Sequence, residues 1–373
     1  MKKRKNILMV SHSSGGGGAE VVFEKTLDYL KEDGHKITVI LPNKKGYLYE
    51  KLKYQEGIKL FILNLKNISV GPLYKNLIKI IYDFILIIIF RRKLIINENI
   101  DIIYSSTIVN IFPIILGVIT KKRIVWHIHE RYNDYSKIYN PKLDKIMKYL
   151  FRKSEVIFLS NKLKYSWKKR LKIKEKTKDH IIYNFIKESI EQKNSDRSVV
   201  TLGFAGTFCE RKNPYLFVEL IEKLNKKYKV EAIMCGSKIK EEIKKYITEK
   251  KLEMSNLKLY DYIDINEFFN KIDIFILPSY NEAWPLVAIE AMKAEVIPII
   301  TKESDLDEIF QEEKNIFYFD PNNLENLESK IEKVLYLKES EKKNLFKRNL
   351  KIIEKYSFSK NYKIKIKNLF NYM

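Results

Sequence analysis

Short apolar runs, rich in β-branched residues, alternate along the first half of the chain with longer amphipathic stretches. Near-continuous apolar strands that alternate with helices indicate a parallel sheet covered by helices on both faces. The predicted strands cover residues 7–11, 37–41, 59–63, 102–105, 124–127, 156–160 and 181–183. The predicted helices between them include residues 20–31, 73–97 and 142–152.

A polar segment without periodicity, residues 187–198, interrupts this alternation. We interpret it as an interdomain linker, because domain boundaries fall in exposed polar segments. A second series follows, with predicted strands at 201–205, 231–235, 257–260, 274–277, 297–301 and 316–319, and helices that include 214–227, 239–251, 285–293 and 324–337. The predicted fold class is therefore α/β, with one doubly wound domain over residues 1–190 and another over residues 191–355.

Length and composition agree with two globular domains. The chain has 373 residues, 45% of them hydrophobic, and only two cysteines, Cys209 and Cys235. So few cysteines argue against a disulfide scaffold and fit a reducing compartment. The longest apolar stretch, residues 80–90, is interrupted by Asp83. It is shorter than the roughly 20 residues that span a bilayer, so we expect no transmembrane helix and a cytoplasmic location.

The net charge is +23, from 70 Lys and Arg against 47 Asp and Glu. Such a surplus favours a polyanionic partner, which is a nucleic acid, an anionic membrane or a phosphorylated substrate. A lysine-rich solvated surface explains the charge equally well. Residues 73–93 combine an amphipathic pattern with the basic end Arg91-Arg92-Lys93. This pattern fits a helix that lies on an anionic membrane, and it also fits a buried core helix.

Ligands of doubly wound sheets bind outside the carboxyl ends of the strands, so we expect a site in the cleft between the two domains. The first turn carries four consecutive glycines before a helix. Without Cβ atoms, a phosphate or sugar can approach the backbone N–H groups at the positive helix end. Gly17 and Gly18 are the best-placed contacts, and a flexible glycine turn is the alternative interpretation.

His127 ends the predicted strand at residues 124–127, and if the strand continues to His129, alternation turns both side chains the same way. A metal pair is weakly indicated because no third ligand accompanies it. An uncharged imidazole could instead hydrogen-bond a sugar hydroxyl, whereas a charged one could offset negative charge. A purely structural histidine stays open for either residue.

Two further motifs lie at strand-to-helix turns of the second series. Arg211 and Lys212 precede the helix that starts at Pro214, where a guanidinium, an ammonium and free N–H groups suit a diphosphate.

In the second motif, Glu282 lies in a loop, and Pro285 suits a first helical residue, which leaves the N–H groups of Leu286 and Val287 free. Glu290 lies about 7–8 Å further along that helix. One nucleoside diphosphate sugar could contact all these groups, although two unrelated acidic residues are the alternative.

At these residues the chain resembles glycosyltransferase family 4, a group of retaining enzymes with the GT-B fold. The family hallmark is a Glu, seven residues and another Glu, which Glu282 and Glu290 match. The resemblance covers essentially the whole chain. It also includes the Gly-Gly-Ala-Glu end of the first loop, Gly34-His35, His129-Glu130, the Arg-Lys loop and the tail from Tyr356 to Lys360.

The resemblance implies a role for each matched residue. His129 and Glu282 are the candidate catalytic residues, beside the transferred sugar and its hydroxyls. The implied donor-binding residues are Glu290 at the ribose, Arg211 and Lys212 at the diphosphate with the amides next to Pro285 at Leu286 and Val287, and Gly17 and Gly18 at the phosphate or acceptor side. It further implies two Rossmann-like domains that face each other, and a C-terminal helix at residues 356–373 that crosses back to the first domain.

The implied reaction retains the anomeric configuration and needs neither a protein nucleophile nor a metal or cofactor. The donor is a nucleotide sugar, with UDP-sugar favoured over GDP-sugar, and the acceptor is a glycan or lipid-linked glycan in surface polysaccharide assembly, such as capsule or lipopolysaccharide. An anionic membrane surface is a further expected partner, with the protein peripheral on the inner face of the cell membrane.

The chain differs from many relatives at three places. Many relatives have Arg directly after the glycine that corresponds to Gly206, and here that position is Thr207. Glu295 stands where Gly is common, and residues 304–307 stand where relatives often have a Gly-Gly pair. Alternative functions on the same fold are a nucleotide-sugar epimerase or a phosphorylase. A basic nucleic-acid-binding protein is the alternative from another class, but no nucleic-acid-binding motif is present and no nucleic acid is expected.

Overall fold

The computed structural model describes residues 4–96, 98–132, 138–174, 178–186, 190–191, 198–236, 241–261, 263–356 and 358–371. The chain forms two compact units. The first comprises Met1–Phe185 and Lys360–Met373, and the second comprises Ile186–Ser359. Most of the linker predicted at residues 187–198 lies outside the described residues.

The first unit is built on a seven-stranded sheet whose strand pairs are all parallel. The order across the sheet is β3-β2-β1-β4-β5-β6-β7. The strands are β1 (Asn6–Val10), β2 (Lys36–Leu41), β3 (Ile58–Ile62), β4 (Ile102–Ser106), β5 (Arg123–Ile128), β6 (Glu155–Phe158) and β7 (Asp179–Ile181). The helices are α1 (Gly18–Glu32), α2 (Tyr47–Leu52), α3 (Leu73–Arg91), α4 (Phe112–Thr120), α5 (Asp144–Lys153) and α6 (Asn161–Arg170).

The second unit repeats this plan on a six-stranded parallel sheet with the order β10-β9-β8-β11-β12-β13. Its strands are β8 (Val200–Ala205), β9 (Val230–Cys235), β10 (Leu257–Tyr260), β11 (Ile274–Leu277), β12 (Ile297–Thr301) and β13 (Phe317–Phe319). Its helices are α7 (Pro214–Leu224), α8 (Glu241–Glu253), α9 (Ile265–Asn270), α10 (Leu286–Lys293), α11 (Leu324–Leu335) and α12 (Glu339–Tyr356).

The last helix, α13 (Phe358–Asn371), contributes to the core of the first unit. Tyr362, Ile366 and Phe370 are fully buried there among residues of β1, β2 and α1. The Tyr362 hydroxyl is 2.5 Å from Oγ1 of Thr26 in α1. The N-terminal part of this unit therefore depends on the far end of the chain to complete its core.

The predicted α/β class with two parallel sheets is confirmed. It could be predicted because strands that are buried on both faces appear in the sequence as near-continuous apolar runs. The ends of some elements differ from the prediction. This happens where residues of the same type run on from one kind of structure into the next. The single helix predicted at residues 73–97 is an α-helix to Arg91, followed by a π-helical turn at Arg92–Ile96. No helix in the described parts of the chain is both long and apolar enough to cross a membrane.

Each sheet has one point where the strand order reverses. It lies between β1 and β4 in the first unit and between β8 and β11 in the second. Ligands of doubly wound sheets bind at such points, outside the carboxyl ends of the strands. Many of the residues described next lie in the loops after these four strands, and others lie at the end of β4 and at or just after the end of β5.

Candidate functional site

Two loops of the second unit bring Arg211, Lys212 and Glu282 together. One loop follows β8 and the other follows β11. Arg211 Nη1 donates to Glu282 Oε1 at 2.9 Å and to the backbone carbonyl of Asn281 at 2.9 Å. Lys212 Nζ donates to the same Glu282 oxygen. We call these three side chains the cation–carboxylate cluster.

Backbone geometry explains how the Arg211 loop reaches Glu282. The amide of Tyr280 donates to the Arg211 carbonyl at 2.9 Å, which ties the two loops together. Gly206, at the end of β8, has a φ of +153°, a conformation that favours glycine. A Cβ on Gly236 would lie 1.9 Å from the Gly206 carbonyl oxygen, so the loops after β8 and β9 approach too closely for any side chain.

The electrostatics of the cluster keep Glu282 ionised. Burial raises the pKa of this carboxyl, but the charges of Lys212 and Arg211 outweigh burial and leave the pKa below its usual range. Lys212 is mostly buried, whereas Arg211 is 44% exposed. The cluster therefore contains one fixed carboxylate and two cations, so its net charge is positive by one.

Helix α10 begins directly after this cluster. Pro285 is its N-cap, with φ −72° and ψ 96°, and Leu286 is the first helical residue. The expectation that Pro285 is the first helical residue is therefore wrong by one position, because its ψ is extended. Leu286 and Val287 are partly exposed, and their N–H groups belong to the first turn, where no intrahelical acceptor exists. Glu290 is buried on the same helix.

The segment at residues 304–307, where the sequence departs from many relatives, is ordered by its own cap. Ser304 accepts from the amide of Leu306 at 3.2 Å and starts a short 3-10 helix at Asp305–Glu308. Ser304 also pairs with Glu282 through a backbone bridge. The sequence marked residues 304–307 only as a departure from relatives near the donor-sugar pocket, although a serine directly before a helical turn is a familiar N-cap signal.

In the first unit, the glycine loop is fixed to α2. The amide of Leu48 donates to the Ser14 carbonyl at 3.0 Å, and the Ser14 hydroxyl donates to the Asn43 carbonyl at 2.9 Å. Gly17 is the N-cap of α1, and a Cβ there would lie 2.8 Å from the carboxylate of Glu20. Around Gly18 a Cβ would meet open space. The loop therefore leaves room next to the start of α1.

Histidines gather beside this loop. Nε2 of His12 lies 3.7 Å from Glu20 Oε1. The rings of His127 and His129 are 4.1 Å apart, so the two side chains lie on the same side, as strand alternation predicts. Burial lowers the pKa of His129 to about 3, with a smaller effect from the charge of His12. His129 is therefore an uncharged imidazole at neutral pH.

His127 has a more structural setting than His129. It is fully buried, and its Nδ1 is 2.9 Å from the hydroxyl of Tyr104. Burial lowers the pKa of His127 well below its usual range, and His129 lowers it further. Both histidines nevertheless keep a buried Nε2 without a hydrogen-bond partner among the described residues.

Two more residues at this end of the sheet escaped the sequence analysis. Thr107 follows β4 with a φ of +71°, a strained conformation for a β-branched residue, and its buried hydroxyl has no hydrogen-bond partner among the described residues. Ser106 Oγ is likewise buried and has no hydrogen-bond partner among the described residues. Their only sequence signal is that they end the strand next to β1. Unpaired buried polar atoms are rare in proteins, and bound water, an ion or a polar ligand can supply the missing partner.

Glu130 completes the polar group of the first unit. Burial raises its pKa to about 7, although the amides of Ile108 and His129 donate to its carboxylate at 3.0 and 3.2 Å. Glu20 raises the pKa further. The candidate residues thus form two groups, one in each unit. Within the described parts of the chain, no group of three or more His, Cys, Asp or Glu side chains is arranged to hold a metal.

Comparison with known proteins assigns both halves of the chain. The family model described as Glycosyltransferase Family 4 matches residues 16–189, and the model described as Glycosyl transferases group 1 matches residues 185–351. An uncharacterized 42.6 kDa protein in the cps region of Klebsiella pneumoniae is 26% identical over 362 residues, which cover 87% of this chain and 94% of the relative.

Solved structures show the same fold. A glycosyltransferase from Rickettsia africae superposes with a TM-score of 0.78 at 19% identity, over 99% of this chain and 98% of that one. Anabaena HepE in complex with UDP and glucose superposes with a TM-score of 0.73 at 17% identity, over 98% of each chain. The two-domain α/β architecture of these proteins is therefore the architecture of this chain.

Proposed function

This chain belongs to the group 1, family 4 glycosyltransferases with the GT-B fold, and from that premise we propose the reaction that it catalyses. We propose that it transfers a hexose from a nucleoside diphosphate sugar, UDP-sugar rather than GDP-sugar, to a glycan or lipid-linked glycan. The proposed setting is the assembly of a surface polysaccharide on the inner face of the cell membrane. The relative in a cps region supports this setting, and HepE bound to UDP supports the nucleotide.

The cation–carboxylate cluster is the observation that carries the proposal. As the sugar–phosphate bond breaks, negative charge grows on the departing diphosphate. Arg211 and Lys212 are held beside α10 by Glu282 and by the Asn281 carbonyl, so their charges need little reorganisation. Cations fixed where charge develops stabilise the transition state more than the ground state. The first-turn amides of Leu286 and Val287 add a positive helix end.

Glu282 and Glu290 suit the hydroxyl-rich parts of the donor. The ionised Glu282 carboxylate is an acceptor for sugar hydroxyls, and its lowered pKa keeps it an acceptor across neutral pH. Glu290, buried in α10, is proposed to accept from the ribose diol. We do not assign Glu282 as a nucleophile, because its carboxylate is already engaged by two cations.

The proposed mechanism retains configuration without a covalent enzyme intermediate. The acceptor attacks on the face that the diphosphate leaves, and the departing phosphate oxygen takes the acceptor proton. No metal is required in this scheme, since Arg211 and Lys212 supply the positive charge that a metal would supply.

In the first unit, His129 is proposed to hydrogen-bond the sugar as a neutral imidazole, consistent with its strongly lowered pKa. Gly17 and Gly18 are proposed to leave space for the phosphate or the acceptor at the start of α1. The unpaired hydroxyls of Ser106 and Thr107 support a hydroxyl-bearing ligand at this end of the sheet.

Thermal unfolding in the presence of UDP-, GDP-, ADP- and CMP-sugars tests the proposal. A donor at 100 times its Kd stabilises the folded protein by about 2.7 kcal/mol. We therefore expect UDP-sugars to raise the Tm by several degrees and the other nucleotides to have less effect. If none of the four classes raises the Tm, the proposed donor site is wrong. Product formation that requires added acceptor would separate transfer from epimerisation.

A further inference from the structure

Helix α3 turns an apolar face toward solvent. Its exposed residues recur every three or four positions and so form one continuous face, which we call the apolar stripe. Each of its side chains is between 40% and 62% exposed. The stripe consists of Tyr74, Leu77, Ile78, Ile81, Phe84, Ile85, Ile88 and Ile89.

The opposite side of α3, which faces the protein, buries two polar residues together with the apolar Ile87. Asn76 is buried, donates to the Ser69 carbonyl at 2.9 Å and accepts from the Ser69 amide at 2.8 Å. Asp83 is also buried and accepts from the amide of Lys66 at 3.4 Å. A surface helix normally buries its apolar side and exposes its polar side. At Asn76 and Asp83, α3 instead buries polar side chains while the apolar stripe stays exposed.

The size of the stripe points to a binding surface. Scattered exposed apolar residues are ordinary, but a contiguous apolar patch on one helix marks contact with a protein or a membrane. The apolar surface extends beyond the helix, because Val70 before it and Ile96 after it are also exposed.

The charge beside the stripe identifies the partner. Arg91, Arg92 and Lys93 are all exposed at the C-terminal end of α3, and Lys75 is exposed near its start. A second copy of the chain would bring another net charge of +23 against this one. An anionic lipid surface instead attracts each basic residue while its acyl region accepts the apolar side chains.

We propose that the apolar stripe inserts into the interface of an anionic lipid bilayer, with α3 lying in the plane of the membrane. The helix cannot leave the protein to cross the bilayer without exposing Asn76 and Asp83, whose partners lie in the loop at residues 66–72. The inference is independent of the proposed donor site, because docking requires no residue of the cation–carboxylate cluster.

Vesicle flotation of the full-length protein tests this inference. Wild-type protein is expected to float with vesicles of equal parts phosphatidylcholine and phosphatidylglycerol, and far less with phosphatidylcholine alone. The double variant Ile81→Asp/Ile85→Asp is expected to reduce the bound fraction at least about tenfold, because two apolar anchors become anions. The matched control Leu252→Asp changes an exposed apolar residue of the second unit and is expected to float like wild type.

Several results would overturn the docking inference. These are wild-type protein that stays unbound with anionic vesicles, a double variant that floats as well as wild type, and a Leu252→Asp control that loses binding equally. A dimer that the double variant dissolves, without vesicle binding by the wild type, would assign the stripe to a second copy. The Tm increase with UDP-sugar, measured on the same variant, reports separately on folding and on the donor site.

Discussion

Glu282 holds Arg211 and Lys212 in place before any donor arrives, and this arrangement decides how the three residues can act. Two flexible cationic side chains would otherwise lose side-chain entropy when they bind a diphosphate. Because the ionised Glu282 is hydrogen-bonded to both cationic side chains, they have already lost this entropy in the folded protein before a donor binds. The pairing also means that loss of one cation leaves Glu282 with the other.

Removing Lys212 or Glu290 is expected to impair catalysis with little effect on folding. Lys212→Ala and Glu290→Ala should each lower kcat/KM for the nucleotide sugar at least about 100-fold, the range seen when a fixed charge or donor is lost from an active site. Steady-state kinetics would measure the loss. The control is Lys342→Ala, which removes a surface ion pair with Glu339. Normal turnover in both site variants would refute the assignment of these residues.

Glu295 offers a stability test at one residue. It follows α10 with a φ of +59°, and the amide of Val296 donates to the Ala291 carbonyl at 2.9 Å, as in a Schellman cap. Glycine adopts this conformation without the cost of about 1–2 kcal/mol that a Cβ incurs. Glu295→Gly should therefore raise the Tm by a few degrees, whereas Glu295→Ala should not. Equal Tm values for the two variants would contradict this account.

At the scale of elements, the loops after β1, β4, β5, β8 and β11 carry most of the candidate residues, and local sequence signals located many of them. Glycine, proline and acidic residues at fixed spacing after an apolar run are local signals, so Gly17, Arg211 and Glu282 could be located. Thr107 could not, because its strained backbone and unpaired hydroxyl depend on strand order, which no local pattern encodes. The exposure of the apolar stripe was equally hidden, since periodicity gives a helix two faces without stating which one is buried.

The burial of Asp83 in α3 makes stability depend on pH. Burial raises the pKa of Asp83 to about 7, and the amide and charge of Lys66 offset this only in part. The unfolded chain has a carboxyl pKa of about 4, so the folded protein holds this proton more tightly. The stabilisation from Asp83 is therefore complete below pH 4 and is lost as the pH rises through 7.

Asp83→Asn should remove this dependence, because an amide oxygen can accept from the Lys66 amide but cannot ionise. At pH 8 the variant should be more stable than wild type by roughly 2–4 kcal/mol, with the difference shrinking toward pH 4. Urea unfolding across this pH range measures both proteins. A constant difference at every pH would show that the pKa of Asp83 is the same in the folded and the unfolded protein, which would contradict this account.

At the scale of the whole molecule, the chain returns at its C-terminus to complete the first unit. The alternation of strands and helices was enough to predict two parallel α/β units. The contribution of α13 to the first core came only from the family resemblance, because a helix of 14 residues at the end of a chain carries no mark of what it packs on. Its buried residues meet segments more than 300 positions earlier, as Tyr362 meets Thr26.

Tyr362→Ala tests this dependence. The substitution removes a fully buried ring and its contact with Thr26, so we expect it to destabilise the first unit by about 3–5 kcal/mol. Urea unfolding followed by tryptophan fluorescence reports on that unit in a Trp284→Phe background, because Trp126 and Trp167 are buried in the first unit and Trp284 lies in the second. Tyr54→Ala is the control, since Tyr54 is 84% exposed in the same unit. Similar small effects of both substitutions would exclude a structural role for α13.

Calorimetric titration of UDP tests the central claim, that the second unit binds a nucleoside diphosphate through its cation–carboxylate cluster. The comparison is between wild type and Lys212→Met, which keeps the length and packing of the side chain but removes its charge while Arg211 still pairs with Glu282. We predict that wild type binds UDP and that the variant binds it at least about tenfold more weakly, the loss expected for one charge-assisted hydrogen bond. Absence of UDP binding to wild type, or equal affinity in the variant, would contradict the account.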